Sequence, residues 1–343
     1  LGEDPAPIRR SAPVTLRDVA IRAGVSTSAV SRAFTPGASV SATKRAAIEE
    51  AAVELGYTPS ALASALTTGR TQMIGLVSNN FHNPVFLEVF DQFTRGLQDR
   101  SLRPLLVNLS GEMAQEDAVR MLRRYSVDGV ILASSTLPAD FARKFIEVGL
   151  PVVHCFGRWS ERPEVNSVGI DNVAAGRLAA RTLLDRGYRR IGFLGGPNSA
   201  TSTQDRLAGF LEVAEASPAE VTTSFAAAYS FDAGRAEMQR LLAAAPPAEA
   251  WFCGDDVLSI GALSALADAG LKVPGDVGIL GLNDMEMARW PHIDLTTVRQ
   301  PIADIIAASI DLVVASLQHP EQPPEARLFA CSIVERGTLR PLP

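Results

Sequence analysis

Cysteine is scarce in this sequence: Cys155, Cys253 and Cys331 are the three among 343 residues. An odd number at wide spacing supplies neither a disulfide framework nor a zinc site. It suits a reducing compartment, so a cytoplasmic protein is expected. Histidine is as sparse: His82, His154, His292 and His319 include no pair at ligand spacing, and no metal site is expected. Long hydrophobic runs are missing too. The longest, at 305–317, is interrupted by Asp311 and is too short for a bilayer, so no membrane partner is expected. Residues 1–11 contain no apolar stretch of the signal-peptide type. With Pro5, Pro7, Arg9 and Arg10 they read as part of a flexible arm, 1–13. Two enzyme signatures are also absent. No Gly-x-Gly-x-x-Gly follows the first strand of the body, and Gly192-Phe193-Leu194-Gly195-Gly196 has the wrong spacing for one. No Gly-x-Ser-x-Gly elbow occurs. Asp255-Asp256 has no second ligand cluster to make metal-assisted chemistry. Neither an enzyme nor a cofactor is expected.

What is present is length, apolar content and an uneven charge. The chain is long enough for two or three domains, and 47% of it is apolar, enough for a sizeable core. The net charge of −6 speaks against a nucleic-acid partner until its distribution is considered. Residues 1–72 carry eight Arg and Lys against six Asp and Glu, while the remainder carries 24 against 32. A slightly basic head sits on an acidic body.

The stretch 14–57 is helical by pattern. Thr15 with Asp18 has the form of a capping box, and Leu16, Val19 and Ala20 share one helix face. Gly24 ends that helix. Ser26 caps a second, at 27–34, with Val30 and Phe34 on one side. A third, at about 43–55, carries Ala47, Ile48, Ala51, Ala52 and Leu55 as its stripe. Small residues where the first two helices cross give a helix-turn-helix arrangement. Its second helix offers Thr27, Ser28, Ser31 and Arg32. Short hydroxyls let a backbone enter the major groove, and Arg reaches a guanine edge or a phosphate. A three-helix module that binds protein fits the bare pattern as well.

Residues 14–66 carry the strings TLRDVA-x-x-AGVS, AVSRA, VSATKR, ELGYTPS and ALASAL. This long ungapped run resembles the headpiece of the lactose-repressor/galactose-repressor (LacI/GalR) family. The resemblance implies a helix-turn-helix DNA-binding domain at 14–58 and a hinge helix with linker at 59–71. It implies DNA contacts from Thr15, Leu16, Ser26, Thr27, Ser28, Ser31 and Arg32, and a minor-groove hinge from Ser60, Ala63 and Leu66. In the family Leu66 would wedge between base pairs, and Asn is usual where Ser60 stands. A wedge of this kind unstacks a step and kinks the duplex at a cost of a few kcal/mol.

From residue 73 onward short apolar strands alternate with amphipathic helices. Strands are expected at 73–77, 104–108, 129–133, 151–155, 191–195, 250–253 and 277–281. Such alternation means parallel sheets covered on both faces, and there are too many strands for one sheet. Two doubly wound α/β lobes with a cleft between them are expected. Ligands bind beyond the carboxyl ends of such strands. Those ends are polar here: Ser78-Asn79-Asn80, Ser134-Ser135, Gly157-Arg158, Asp255-Asp256 and Asn283-Asp284. They suit a polyhydroxylated ligand.

This body resembles the effector domain of the same family, itself similar to periplasmic sugar-binding proteins. The implied domain is 72–343, for effector binding and dimerisation. Its first lobe is expected at about 72–158 plus 299–325 and its second at about 159–298 plus 326–343. Carried over, Val85, Phe86, Arg158, Arg206, Phe231, Asp255, Asn283 and Gln300 are the effector-binding candidates. Asp255 stands where Asn is usual, Asn283 where Asp is usual, and Phe156 or Gly157 where sugar-binding members have a carboxylate. The implied protein is a sequence-specific transcriptional regulator, a repressor by expectation. Its partners would be pseudo-palindromic double-stranded operator DNA, a small-molecule effector such as a sugar or sugar derivative, and a second copy in a homodimer or higher oligomer. A pure solute-binding protein would need an export signal and no headpiece.

Overall fold

The computed structural model describes residues 14–35, 37–60, 65–66, 68–109 and 113–343. The expected arm at 1–13 and the hinge residue Ala63 lie outside the described residues. The chain divides into two compact units, Leu1–Thr71 and Gln72–Pro343.

The first unit holds α1 (Leu16–Ala23), α2 (Thr27–Ala33) and α3 (Ala42–Leu55). Thr15 and Asp18 form the reciprocal capping box, and Gly24 at φ +64° closes α1. Ser26 caps α2 by accepting the Ala29 N–H at 3.2 Å. Val19, Ala20, Ala29, Val30, Ala33, Ile48, Ala51 and Ala52 make the buried core of this unit. Alanine at most of these positions lets three short helices approach closely. Arg45 on α3 donates to the Ala33 carbonyl at the end of α2, which satisfies a free helix-terminal acceptor.

The second unit has two six-stranded sheets. The first runs in the order β2 (Arg103–Asn108), β1 (Met73–Ser78), β3 (Gly129–Ala133), β4 (Val152–Cys155), β5 (Asn166–Ile170), β11 (Ala326–Phe329). All its pairings are parallel. Alternate residues serve opposite faces. Ile131, Ala133 and Val153 pack on one face with α4 (Val85–Gln98) and α11 (Ile302–Gln318). Val130, Leu132 and Val152 pack on the other with α5 (Gln115–Arg124) and α6 (Ala139–Glu147). The second sheet runs β7 (Glu220–Phe225), β6 (Arg190–Gly195), β8 (Ala250–Cys253), β9 (Gly278–Asn283), β10 (Thr297–Arg299), β12 (Ser332–Val334). Its β10–β12 pair is antiparallel. Its helices are α7 (Asn172–Leu184), α8 (Thr201–Ala214), α9 (Phe231–Ala244) and α10 (Asp256–Asp268).

The division between lobes differs from the expected one. β5 and β11 belong to the first sheet, so the first lobe runs on past 158 and takes back 326–329. β10 lies in the second sheet, so residue 299 belongs there. The polar stretch between β4 and β5 is a loop of the first lobe, not a crossover. β5 opens on Asn166-Ser167 and shows no continuous apolar run to mark it.

Candidate functional site

On the first unit, Ser26, Thr27, Ser28 and Arg32 are exposed at the start and along one side of α2, while Ser31 is half-buried. The Arg32 Nε–H donates to the Ser28 carbonyl at 3.3 Å, which lays the guanidinium along the helix. The Ser26 and Ser28 hydroxyls lie 3.0 Å apart. Thr15 is exposed and Leu16 half-buried at the start of α1. Two helix N-termini thus present capped, small polar side chains, the kind of surface that takes phosphate and base edges. Ser60 follows α3 and is exposed, and Leu66 is 90% exposed.

In the second unit a cavity partly open to solvent lies between the carboxyl ends of the two sheets. Its apolar wall is Val85, Phe86 and Val89 of α4 with Phe156, Ile170 and Ile302. Its polar wall is Asn80, Ser135, Asn172, Arg206, Tyr229, Asp255, Asn283 and Gln300. The Phe86 and Phe156 rings meet edge-on at 6.2 Å.

Arg206 is held on three sides. Its Nε–H donates to the Ser202 carbonyl at 2.9 Å, Nη1 to the Gly254 carbonyl at 2.9 Å and Nη2 to the Tyr229 hydroxyl at 2.9 Å. Tyr229 is fixed in turn by Thr203 at 2.6 Å. Asp255 caps α10, accepting the Val257 N–H at 2.9 Å on Oδ1. Its Oδ2 accepts from Asn83 Nδ2 at 2.8 Å and from Asn283 Nδ2 at 3.0 Å. Gln300 Nε2 donates to Asn283 Oδ1 at 2.6 Å and completes the chain. Burial pushes the Asp255 pKa up from its ordinary value, while the Val257, Asn83 and Asn283 donors and the nearby Arg206 charge oppose that rise. Phe156 at φ +65°, Asn283 at +124° and Asp284 at +59° hold backbone conformations costly for residues other than glycine, and they cluster at this cavity. Arg299 and Arg336 both pair with the Asp284 carboxylate and brace that turn.

Among the described residues, three polar side-chain contacts tie the lobes across the cleft. Asn83 reaches Asp255, the Glu88 carboxylate accepts the Glu286 N–H at 2.8 Å, and Arg158 pairs with Asp205 at 2.6 Å. Of the sequence candidates, Val85, Phe86, Arg206, Asp255, Asn283 and Gln300 all line the cavity. Arg158 and Phe231 do not. The Arg158 side chain is more than half exposed and turned to Asp205. Phe231 is the first residue of α9 and is 39% exposed, outside the cavity lining. Tyr229 supplies the aromatic wall in its place. Ser230 is the N-cap of α9, so the last loop residue before the cap faces the strand ends. Sequence reasoning also missed Asn172, which lines the cavity, and Ser202, which lies behind Arg206 and accepts its Nε–H on the main-chain carbonyl. The Ser202 hydroxyl is buried with no hydrogen-bond partner, one turn before Arg206 on the same helix. A serine at i−4 from the candidate arginine is the signal that could have found it.

The cysteines are poor nucleophiles: burial pushes Cys155, Cys253 and Cys331 each up to about 12. Among the described residues, no group of three or more His, Cys, Asp and Glu is placed to hold a metal, and no helix is long and apolar enough to cross a membrane.

Comparison with known proteins agrees with this geometry. Residues 15–60 match the family model of bacterial regulatory proteins of the lacI family. Residues 180–339 match a periplasmic binding protein-like domain. The HTH-type transcriptional repressor PurR of Proteus mirabilis is 33% identical over 292 residues, 84% of this chain and 85% of that protein. The lac repressor dimer, solved bound to operator and the anti-inducer ONPF, superposes with a TM-score of 0.84 at 25% identity, over 96% of this chain and all of that one. The transcriptional regulator CelR in complex with cellobiose gives 0.70 at 29% identity, over 95% and 99%. With a helix-turn-helix unit, a two-lobed body and a cavity at the strand ends, the chain belongs to the lacI family of bacterial regulatory proteins: it is a DNA-binding transcriptional regulator with a small-molecule-binding body, not an enzyme.

Proposed function

We propose that the protein is a homodimeric repressor whose operator affinity is set by a sugar or sugar derivative bound between the lobes. The observation that carries this reading is the meeting, in one cavity, of Arg206, Asp255, Asn283 and Gln300 with the Phe86 and Phe156 rings. A sugar hydroxyl both donates and accepts, which matches an alternating wall of guanidinium, carboxylate and amides. The C–H face of a pyranose or furanose packs on aromatic edges. CelR, solved with cellobiose, is a relative of the same architecture.

DNA recognition is assigned to Thr15, Leu16, Ser26, Thr27, Ser28, Ser31 and Arg32, with Ser60, Ala63 and Leu66 as the hinge. One headpiece reads one half-site, so two copies meet a pseudo-palindromic operator. Effector in the cleft changes operator affinity by the coupling free energy between the two sites.

A thermal-shift panel of sugars, sugar phosphates, nucleosides and nucleobases on the full chain tests the cleft. A ligand that binds the native state alone raises the melting temperature with concentration. The expected result is such a rise with a sugar, lost in Arg206→Ala, while Arg206→Ala still binds operator in a fluorescence-anisotropy titration. A ligand response that survives Arg206→Ala overturns the assignment of this cavity.

A further inference from the structure

We propose that Asp255 makes the cavity selective for uncharged, hydroxyl-rich ligands and excludes their phosphorylated counterparts. This deepens the reading above and rests on the cleft cavity being the effector site. Among the described residues that line the cavity, Arg206 and Asp255 carry the charge, one of each sign. They are not an ion pair. Arg206 donates to the Ser202 and Gly254 carbonyls and the Tyr229 hydroxyl. Asp255 accepts from three N–H donors and from no cation.

Burial raises the Asp255 pKa, and three N–H donors on its oxygens work against that rise and favour the carboxylate. The Val257 main-chain N–H can only donate, and it sits on Oδ1. Asn83 is pinned because its own Oδ1 accepts the Val85 N–H at 3.2 Å, so its Nδ2 must face Asp255 Oδ2. Irreversible donors therefore stand on both oxygens, an arrangement that favours the ionised form. The carboxylate cannot swing away either, because Asn83 belongs to the first lobe and Asp255 to the second. Moving Asp255 breaks one of the three ties that close the cleft.

The remaining hydrogen-bond capacity has a defined shape. A guanidinium has five N–H groups and a carboxylate about four acceptor sites, so Arg206 keeps two donors and Asp255 about one acceptor. A hydroxyl pair uses both, accepting from Arg206 and donating to Asp255. A phosphomonoester at neutral pH is chiefly the dianion, which offers acceptors alone and has no proton to give Asp255. It would set two like charges side by side in a cavity whose single guanidinium is already balanced by the carboxylate. Asn at this position would remove the repulsion and leave Arg206 free to hold an oxyanion. Asp255 is thus a specificity determinant.

The test uses matched pairs on the full chain by isothermal calorimetry: glucose and glucose 6-phosphate, ribose and ribose 5-phosphate, adenosine and its 5′-monophosphate. Wherever a pair binds, the uncharged member binds tighter by at least roughly tenfold, ~1.4 kcal/mol, and Asp255→Asn narrows that gap. A phosphorylated member that binds wild type equally or more tightly overturns the proposal, as does a gap unchanged in Asp255→Asn. Sulfate, an oxyanion with no proton at neutral pH, is the arm that needs no cognate ligand. At matched ionic strength it raises the melting temperature of Asp255→Asn but not of wild type, and the added Arg206→Ala removes that rise. The same response in wild type and variant sinks the proposal. Should Asp255→Asn lose the wild-type circular dichroism, Asp255→Ser replaces it and keeps an oxygen for the Val257 N–H. Sugar binding that survives Arg206→Ala would instead remove the cavity reading itself. Loss of binding there with selectivity unmoved in Asp255→Asn would remove this inference alone.

Discussion

Asp255 and its neighbour Asp256 face opposite ways. Asp255 turns to the cavity, while Asp256 turns into the second lobe, accepting from Thr297 Oγ1 at 2.6 Å and from the Met285 N–H at 2.9 Å. Burial pushes Asp256 up to about 7 from an ordinary 3.8, with Asp255 and Asp284 adding repulsion and Thr297 opposing. A carboxyl raised on folding contributes stability that is complete below 3.8 and gone once the pH passes about 7. In between, the unfolded chain has lost this proton and the native state still holds it, so stability falls as the pH rises. Asp256→Asn cannot titrate. The stability advantage of wild type over Asp256→Asn in urea unfolding is therefore largest near pH 4 and shrinks towards pH 7, by an amount on the order of 1 to 4 kcal/mol. An advantage constant across that window would contradict it. The difference between the two proteins is the quantity to read, because His154, pushed down to about 4 by burial, bends the total curve the other way.

The cavity residues differ in how legible they are in sequence. Polar residues at the ends of apolar strands mark Asp255 and Asn283, because such ends in a doubly wound sheet must face either solvent or ligand, whereas Gln300 follows a strand too short to be read and is reached only through the family resemblance. The aromatic wall falls two residues from Phe231, at Tyr229. A loop aromatic and a helix-flank aromatic look alike in sequence, and the start of α9, set by the Ser230 cap, separates them. Arg158 departs from its expected place for another reason. Its partner Asp205 lies on a different lobe, and no local pattern links them.

Between elements, the second lobe depends on glycine where its helices cross. A Cβ on Gly209 of α8 would lie 1.9 Å from the Val173 carbonyl oxygen of α7, and one on Gly176 of α7 would lie 2.1 Å from the Arg206 carbonyl oxygen of α8. The α9 and α10 crossing repeats the device: Gly261 would meet the Phe231 carbonyl oxygen at 2.3 Å and Gly234 the Leu258 carbonyl oxygen at 2.6 Å. Backbone cannot yield as a side-chain tip can, so any larger residue forces the helices apart. Gly209→Ala is expected to destabilise the body by about 1–3 kcal/mol in urea unfolding, the range for overpacking. Gly176→Ala pushes directly on the peptide of Arg206, so it should also weaken binding of the sugar found in the thermal-shift panel, by roughly tenfold in calorimetry. A stable Gly176→Ala with unchanged affinity would mean that the α7–α8 crossing does not position Arg206. In sequence these glycines read as weak points in helical patterns, and the crossings that need them exist only once the helices are packed. The strands missed by sequence reading have a similar cause. β7 is an edge with exposed residues along it, and β10 and β12 have three residues each, too few to show a pattern.

Over the whole molecule, regulation requires that a ligand in the body change what the headpieces and hinges do on DNA. The slightly basic residues 1–72 carry too small a charge excess to hold operator by phosphate contacts alone. Shape and deformation of the duplex must carry part of the affinity. Leu66 is the residue suited to this: 90% exposed in the free chain, it gains on the order of 2 kcal/mol when an apolar side chain of its size leaves water. Inserted at a base step, it offsets part of the unstacking cost and lets a bent duplex meet more protein surface. Leu66→Ala removes that term and changes none of the residues that line the cavity. Operator affinity is expected to fall by roughly 30-fold or more per dimer, since two wedges are lost at ~1–2 kcal/mol each. The bend, read by the mobility of circularly permuted operator fragments, should decrease with it, while the calorimetric affinity for the effector stays at the wild-type value. A variant that bends operator as wild type does would place the deformation elsewhere in the headpiece. A variant that also loses effector affinity in the absence of DNA would show that Leu66 acts on the free body rather than on the duplex.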